Sequence, residues 1–336
     1  MKAAVYAGPG RLELRDWAEP RIGPGELLVR VSGCGLCGSD VLKVVSPSTK
    51  APAVFGHEVV GEIAEVGAGV TGLSIGGRVV VAHHVPCFAC HYCRRGSPSM
   101  CRYFKRSNLD PGGFAELCRV PAANVEHATF ALPDAMSDET ASFTEPLACC
   151  LRAVKRSGVA PGDTAIIVGL GSIGCLLARV FALSGAGVFG ADLVPARRAL
   201  GRSAGARVFD AESELDAALS DATDGRGADI VMLTAGGAAL LSWAAARVRD
   251  GGQLHYFAGG AGESLPLPLA DLYHRELTLS ATYSSSPAEL REAFDLLAQG
   301  KVTVDGLITH RLPLQDLAVG VELMRRREAV KVYVTP

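Results

Sequence analysis

The run Gly56-His57-Glu58, which opens GHEVVGEIAEVGAGV, sets an imidazole beside a carboxylate at the head of an apolar stretch. Cys37 lies upstream in GLCGSD, and Glu145 lies far downstream in TEPLACC. A lone histidine beside a glutamate is usually a satisfied structural pair, but the combination reads differently. Thiolate, imidazole and carboxylate make a zinc set, and three protein ligands with a fourth position left to water or substrate make a catalytic one. Glu58 and Glu145 are equivalent candidates for the third ligand, the other binding through water or exchanging with it. Asp40 is the candidate acceptor for the His57 ring N–H, a contact that would fix the tautomer. Ser39, two residues after Cys37, is placed to hydrogen-bond an oxygen held at the metal and to carry its proton away. Zinc suits that step because it lowers the pKa of a bound water or alcohol from about 16 to roughly neutral.

A second cluster is Cys87-x2-Cys90-x2-Cys93-x7-Cys101. Four thiolates this close in sequence can wrap one Zn2+ tetrahedrally, closing a structural site in a loop with little core of its own. Arg94, Arg95 and Lys105 flank the cluster and would compensate its negative charge. Two consecutive two-residue spacings and a fourth cysteine argue against unrelated buried thiols.

The third motif is Gly169-Leu170-Gly171-Ser172-Ile173-Gly174. Alone the pattern is weak, but here an apolar strand precedes it, a helix follows it, and Asp192 ends the next strand. Its glycines allow a tight turn and close approach of a pyrophosphate to the helix N-terminus at Ser172 and Ile173. Asp192 is expected to accept the adenosine ribose hydroxyls and repel a 2′-phosphate, favouring NAD over NADP. Arg197 and Arg198 follow closely enough to soften that preference; Arg197 could instead stack on the adenine, or both could be solvated helix residues.

The elements that must hold these groups divide the chain. Residues 1–150 read as mostly β, with short apolar runs at Lys2–Tyr6, Glu26–Val31, Val59–Val66 and Arg78–Val81 between glycine and proline punctuation. No periodic helical segment of any length is expected before Ser137, which suits a compact, partly open β-barrel with long loops. After a linking helix ending near Ser157, six apolar strands alternate with helices: Ala165–Val168, Val188–Ala191, Arg207–Phe209, Asp229–Leu233, Gln253–Phe257 and Leu277–Ala281. That alternation predicts an α/β, doubly wound parallel sheet over residues 151–284. The tail, 285–336, ends in the strand Lys331–Val334 with no partner of its own and is expected to return to the first domain.

At 336 residues the chain suits two domains. A hydrophobic fraction of 49% with 20% charged residues describes a globular protein, not a disordered one. No membrane-length apolar run or signal-peptide core occurs, so the expected location is cytoplasmic and no membrane partner is expected. A net charge of −2 gives no reason to expect nucleic acid and counts against a nucleic-acid zinc ribbon. Ten cysteines without an export signal point to metal binding before disulfides.

With these motifs in order, the chain resembles the zinc-dependent medium-chain dehydrogenase/reductase family, the alcohol and polyol dehydrogenases. The resemblance runs through Gly56-His57-Glu58-x2-Gly61-x5-Gly67-x2-Val70, the four-cysteine lobe 87–101, Glu145-Pro146 and the VGLGSIG loop. It implies a GroES-like catalytic domain built from 1–150 and 285–336, and a central Rossmann domain. It also implies one catalytic and one structural zinc per subunit, and homodimers or homotetramers. Glu145-Pro146 and Thr309-His310-Arg311-Leu312-Pro313-Leu314 look most like the sorbitol and threonine dehydrogenase branch. Two departures stand out. Leu42 occupies the place where related enzymes often have a proton-relaying histidine, and Thr282 precedes Tyr283 where polyol dehydrogenases tend to have arginine. His83 and His84 read as ordinary loop histidines. The expected activity is NAD-dependent interconversion of a polar secondary alcohol and its ketone. The rivals are a reductase of simple aldehydes or primary alcohols and a non-catalytic, zinc-stabilised NAD-binding protein.

Overall fold

The computed structural model describes residues 1–235, 237–258 and 268–336. By its internal contacts the chain divides into two compact units, Met1–Ala148 with Ser285–Pro336, and Cys149–Ser284. Among the described residues no helix is long and apolar enough to cross a membrane.

The first unit opens with β1 (Lys2–Gly8), β2 (Arg11–Asp16), β3 (Leu27–Leu36), β4 (Ala53–Val54), β5 (Glu58–Val66), β6 (Arg78–Ala82), β7 (Leu117–Val120) and β8 (Thr129–Ala131). The helices Gly38–Val45 and Ala122–Ala128, with the single turn His91–Arg94, correct the expectation of none before Ser137. With only two turns or fewer, none of them repeats an apolar face often enough to show a period in sequence. The helix Gly38–Val45 is held by placing Asp40, Val41 and Val44 inward.

The second unit contains β9 (Thr164–Val168), β10 (Gly187–Ala191), β11 (Arg207–Val208), β12 (Ala228–Leu233), β13 (Val248–Tyr256) and β14 (Thr278–Ala281). They form a six-stranded sheet in the order β11-β10-β9-β12-β13-β14, with every pairing parallel. Helices Ser172–Leu183, Pro195–Ser203, Glu212–Thr223 and Ala238–Ala245 connect successive strands. This is the doubly wound Rossmann arrangement. A further helix, Leu269–His274, was not legible from the apolar pattern, since none of its residues is buried.

The tail returns to the first unit, as its unpaired final strand required. There β15 (His310–Pro313) pairs parallel with β16 (Val332–Thr335), and β16 pairs antiparallel with β3. The larger sheet of this unit runs β15-β16-β3-β5-β6-β8, with β7 also on β3, beside a small sheet β2-β1-β4. Val29, Val31, Ile63, Val79, Val81, Val332 and Val334 share its core. Of most consequence for the site, the first four residues of β5, Glu58 to Gly61, are all buried. Each buried valine stabilises by roughly 1.5–3 kcal/mol, so the backbone that follows His57 is held in place by the core itself.

Candidate active site and metal centres

Cys37 stands between β3 and the helix Gly38–Val45, as that helix's N-cap. Its backbone N–H donates to Asp40 Oδ2 at 3.3 Å, and Asp40 Oδ1 lies 3.3 Å from His57 Nδ1. One fully buried carboxylate therefore orients both residues and leaves His57 Nε2 for a ligand. Burial works against its charge, yet His57 and then Lys43 hold the Asp40 carboxyl below the usual carboxylate range. Burial likewise opposes a charged His57, but Asp40 and Cys37 push its pKa well above the ordinary imidazole value. The acidic surroundings of the ring attract a cation, and a metal bound at Nε2 would take the place of that proton.

Donor atoms of Cys37, His57 and Glu58 lie within 4.8 Å of one another, and a second trio, His57, His83 and Glu145, meets the same limit. Both share His57. Glu145 enters from the first turn of the helix Thr144–Ser157 and is buried. Ser39 is exposed in the first turn of its helix and belongs to neither trio.

Sequence reasoning missed Lys331, whose Nζ donates to Glu58 Oε1 at 2.5 Å from a buried position. Burial raises the Glu58 carboxyl above the usual range, against Lys331 and His57, while Glu145 adds to the rise. Against burial, Glu58 first, then Cys37 and Glu145, raise the Lys331 pKa, so its ammonium stays charged. The pair needs the space left by Gly35, where a Cβ would stand 1.9 Å from Glu58 Oε2 and 2.9 Å from Lys331 Cε. Nothing around a lone lysine signals such a partner across 273 positions.

His83 also departs from its reading as an ordinary loop histidine. It is 9% exposed, its ring centroid is 4.5 Å from that of His57, and that of the His84 ring is 3.7 Å away. Burial, with His57 and His84 nearby, holds His83 neutral, well below the usual imidazole range. His84 turns elsewhere, with Nδ1 2.5 Å from the Ser107 carbonyl.

In the lobe, the sulfurs of Cys87, Cys90, Cys93 and Cys101 lie within 4.8 Å of one another. The short helix His91–Arg94 and the 3-10 turn Pro98–Met100 bring them together. Against burial, backbone groups at Phe104, Cys87 and Tyr103 bring the Cys101 thiol down to about 6, while burial first, then the neighbouring thiols, push Cys93 up to about 12. Four converging sulfurs fit a tetrahedral zinc.

In the second unit, β9 runs into Gly169, and Gly171 caps the helix Ser172–Leu183 with no side-chain hydrogen bond. The first-turn N–H groups at Ser172 and Ile173 therefore remain for an anion. Gly174 packs so tightly on the turn that a Cβ there would sit 1.9 Å from the Gly169 carbonyl oxygen. Asp192, just past β10, accepts from Leu170 N at 2.7 Å and from Val194 N at 2.8 Å, which ties its carboxylate to the glycine turn. Arg197 Nη1 lies 3.9 Å from where a Gly171 Cβ would be, over the turn. Arg198 is turned to Asp210, at 2.9 Å, and to the carbonyls of Asp192 and Leu193. Strand, glycine turn, open helix N-terminus and acidic residue together fit a dinucleotide.

Comparisons with known proteins agree with this architecture. The family model described as Alcohol dehydrogenase GroES-like domain matches residues 23–133, and that described as Zinc-binding dehydrogenase matches residues 169–299. The chain is 29% identical to a sorbitol dehydrogenase of Halalkalibacterium halodurans, covering 100% of this chain and 99% of the relative. It is 30% identical to L-galactonate-5-dehydrogenase of Escherichia coli K12, over 100% and 99%. It is 32% identical to L-threonine 3-dehydrogenase of Bacillus velezensis, over 96% and 95%. Among solved structures, a zinc-binding dehydrogenase of Sinorhizobium meliloti 1021 bound to NADP has a TM-score of 0.87 at 29% identity, covering 100% of this chain and 99% of that one. An alcohol dehydrogenase of Escherichia coli CFT073 complexed with NADH has a TM-score of 0.87 at 25% identity, over 100% and 99%. Matched over both of its domain types and along its full length, the chain belongs to the zinc-dependent medium-chain alcohol dehydrogenases, in the sorbitol and threonine dehydrogenase branch, and is an oxidoreductase acting on CH–OH groups with zinc and a nicotinamide cofactor.

Proposed function

We propose that this chain is an NAD-preferring dehydrogenase that interconverts a polar secondary alcohol, of polyol, cyclitol or amino-alcohol type, and its ketone. The observation that carries the reading is the trio Cys37, His57 and Glu58 around an imidazole fixed by buried Asp40. The polar substrate class is supported by relatives named for sorbitol, galactonate and threonine. In this reading residues 1–150 and 285–336 form the zinc domain, and 151–284 bind the nucleotide.

Cys37 and His57, with Glu58 or Glu145, would hold the catalytic zinc; Cys87, Cys90, Cys93 and Cys101 would hold a second, structural one. When bound, zinc acidifies the substrate hydroxyl as a Lewis acid and the nicotinamide accepts hydride from the carbinol carbon. Asp40 keeps the His57 ring aimed, and Lys331 stabilises the Glu58 carboxylate. Ser39, exposed beside Cys37, passes the hydroxyl proton to solvent, doing without the histidine that Leu42 replaces. Backbone N–H groups at Ser172 and Ile173 bind the pyrophosphate. Asp192 faces the ribose end of the turn and disfavours a 2′-phosphate. Arg198 does not counter that preference, because its guanidinium is already engaged by Asp210.

Self-association is also part of the reading, as a homodimer or homotetramer, supported by β14 ending its sheet among the described residues. So is a cytoplasmic location, where the ten unbridged cysteines stay reduced. The test is NADH formation across polyols, cyclitols, amino alcohols and simple primary alcohols, with zinc counted on the same sample. Turnover confined to polar secondary alcohols is expected. Preference for simple primary alcohols would overturn the substrate class, and a zinc-loaded protein inert on every alcohol and aldehyde would overturn the catalytic reading.

A further inference from the structure

His57 has more metal-binding neighbours than one zinc requires. A catalytic zinc takes three protein ligands, yet the donor atoms of Cys37 and Glu58 close one trio around His57, and those of His83 and Glu145 close another. We propose that His83 is a ligand, and that the metal has two stations sharing His57: one with Cys37 and Glu58, the other with His83 and Glu145. The proposal rests on the reading that zinc is held at Cys37 and His57.

The strand register explains how His83 comes to be there. Glu58 at the start of β5 pairs with Ala82 at the end of β6. One residue beyond that pair on each strand stand His57 and His83, with ring centroids 4.5 Å apart. The last ladder pair thus sets both imidazoles at the same end of the sheet. His83 does not behave as a structural histidine. It is nine-tenths buried, and its Nδ1 makes no hydrogen bond. Buried polar nitrogens are normally partnered, and leaving one unpartnered costs about 1–3 kcal/mol. His255 shows the ordinary solution in the same chain: Nδ1 lies 2.9 Å from Ser280 Oγ, and Nε2 lies 2.9 Å from Thr282 Oγ1. A neutral His83 has one ring lone pair to give a metal, and no protein group meets its Nδ1.

The two stations are chemically distinct but both suit zinc. One offers sulfur, nitrogen and oxygen; the other offers two imidazoles and a carboxylate, a set that also holds catalytic zinc. Passing between them, the ion would stay on His57 and exchange Cys37 and Glu58 for His83 and Glu145. Glu58 is provided for in either case, since its carboxylate already pairs with Lys331. No bond is made or broken except metal–ligand bonds, and no redox change is involved.

Metal stoichiometry of the intact protein, measured after dialysis against a weak chelator, tests the proposal. Absorption of the Co2+-substituted protein serves as a second readout. The wild type is expected to hold about two ions per chain, one of them in the cysteine lobe. Cys37→Ser is expected to keep the second ion through His57, His83 and Glu145, with Co2+ absorption lacking the thiolate band of that site. Cys37→Ser combined with His83→Phe, which keeps a ring of similar size but no donor, is expected to fall to about one ion. A retained lobe ion and an unchanged melting temperature separate this loss from unfolding. If Cys37→Ser alone drops to the lobe ion, or if the double variant holds as much metal as Cys37→Ser, His83 is not a ligand. If the wild type holds only the lobe ion, the reading of a metal centre at Cys37 and His57 falls, and the second station falls with it.

Discussion

At the scale of single residues, the site depends on carboxylates that are held in place before any ligand arrives. Asp40 touches both Cys37 and His57, so its charge and its position are felt together. Asp40→Asn keeps the shape but weakens the anion that orients the imidazole. It is expected to lower zinc affinity at the catalytic site by about 10–100-fold in a chelator competition, with the lobe zinc retained. Asp192 is held by two backbone N–H groups and governs the cofactor in the same static way. Asp192→Asn removes a like charge facing a 2′-phosphate and is expected to raise the ratio of kcat/KM for NADP over NAD by roughly tenfold or more. An unchanged ratio would place discrimination elsewhere in the turn. Cys37, His57, Glu58 and Glu145 could be put forward as candidates because their types suit one metal and two of them adjoin. His83 and Lys331 were not, because what distinguishes them is a neighbour brought close only by strand pairing. A histidine before a cysteine lobe and a lysine before a final strand look the same in sequence whether or not a buried carboxylate meets them.

At the scale of elements, strands with both faces buried could be read to within a residue or a few. Thr164–Val168 is buried at every position, and the apolar run Ala165–Val168 falls one residue short of its length. The exposed strand β2, RLELRD, and the helices Gly38–Val45 and Leu269–His274 were invisible because short or solvated elements carry little periodic signal. Packing between two strands also creates a pH dependence that no pattern shows. His255 on β13 is fully buried against Ser280 on β14 and Thr282, and burial first, then Arg156, pushes its pKa down to about 4 from an ordinary 6.5. Between those values the unfolded chain binds a proton that the folded chain does not, so this histidine's contribution to stability is complete above pH 6.5 and is lost as pH falls toward 4. The loss amounts to roughly 3 kcal/mol at most. Melting of the wild type and of His255→Gln, followed from neutral to acidic pH, checks this. The wild type is expected to lose stability more steeply across that window, and parallel curves would show that His255 is protonated without cost.

At the scale of the whole molecule, the discontinuous first unit was foreseeable because a terminal strand must find a partner, and β16 finds β3. The same reasoning applies at a sheet edge that ends, among the described residues, in β14. Within the described residues β14 hydrogen-bonds only β13, and it ends the six-stranded sheet. Its sequence, TLSA, contains no charge, proline or bulge of the kind that usually guards an exposed edge. Thr278, Leu279 and Ala281 are exposed, with Leu279 at 45%, and Tyr283 just beyond is 56% exposed. An unguarded, apolar edge strand is complementary to a second copy of itself, since antiparallel pairing about a twofold axis satisfies both edges with one surface. Leu279→Lys places a charge at the centre of that pairing without touching a metal ligand or the glycine turn. It is expected to convert the oligomer to a smaller species in sedimentation velocity while zinc content stays unchanged. If the assembly is unaltered by Leu279→Lys, β14 is not the joint between subunits, and the association must be sought on another face of the chain.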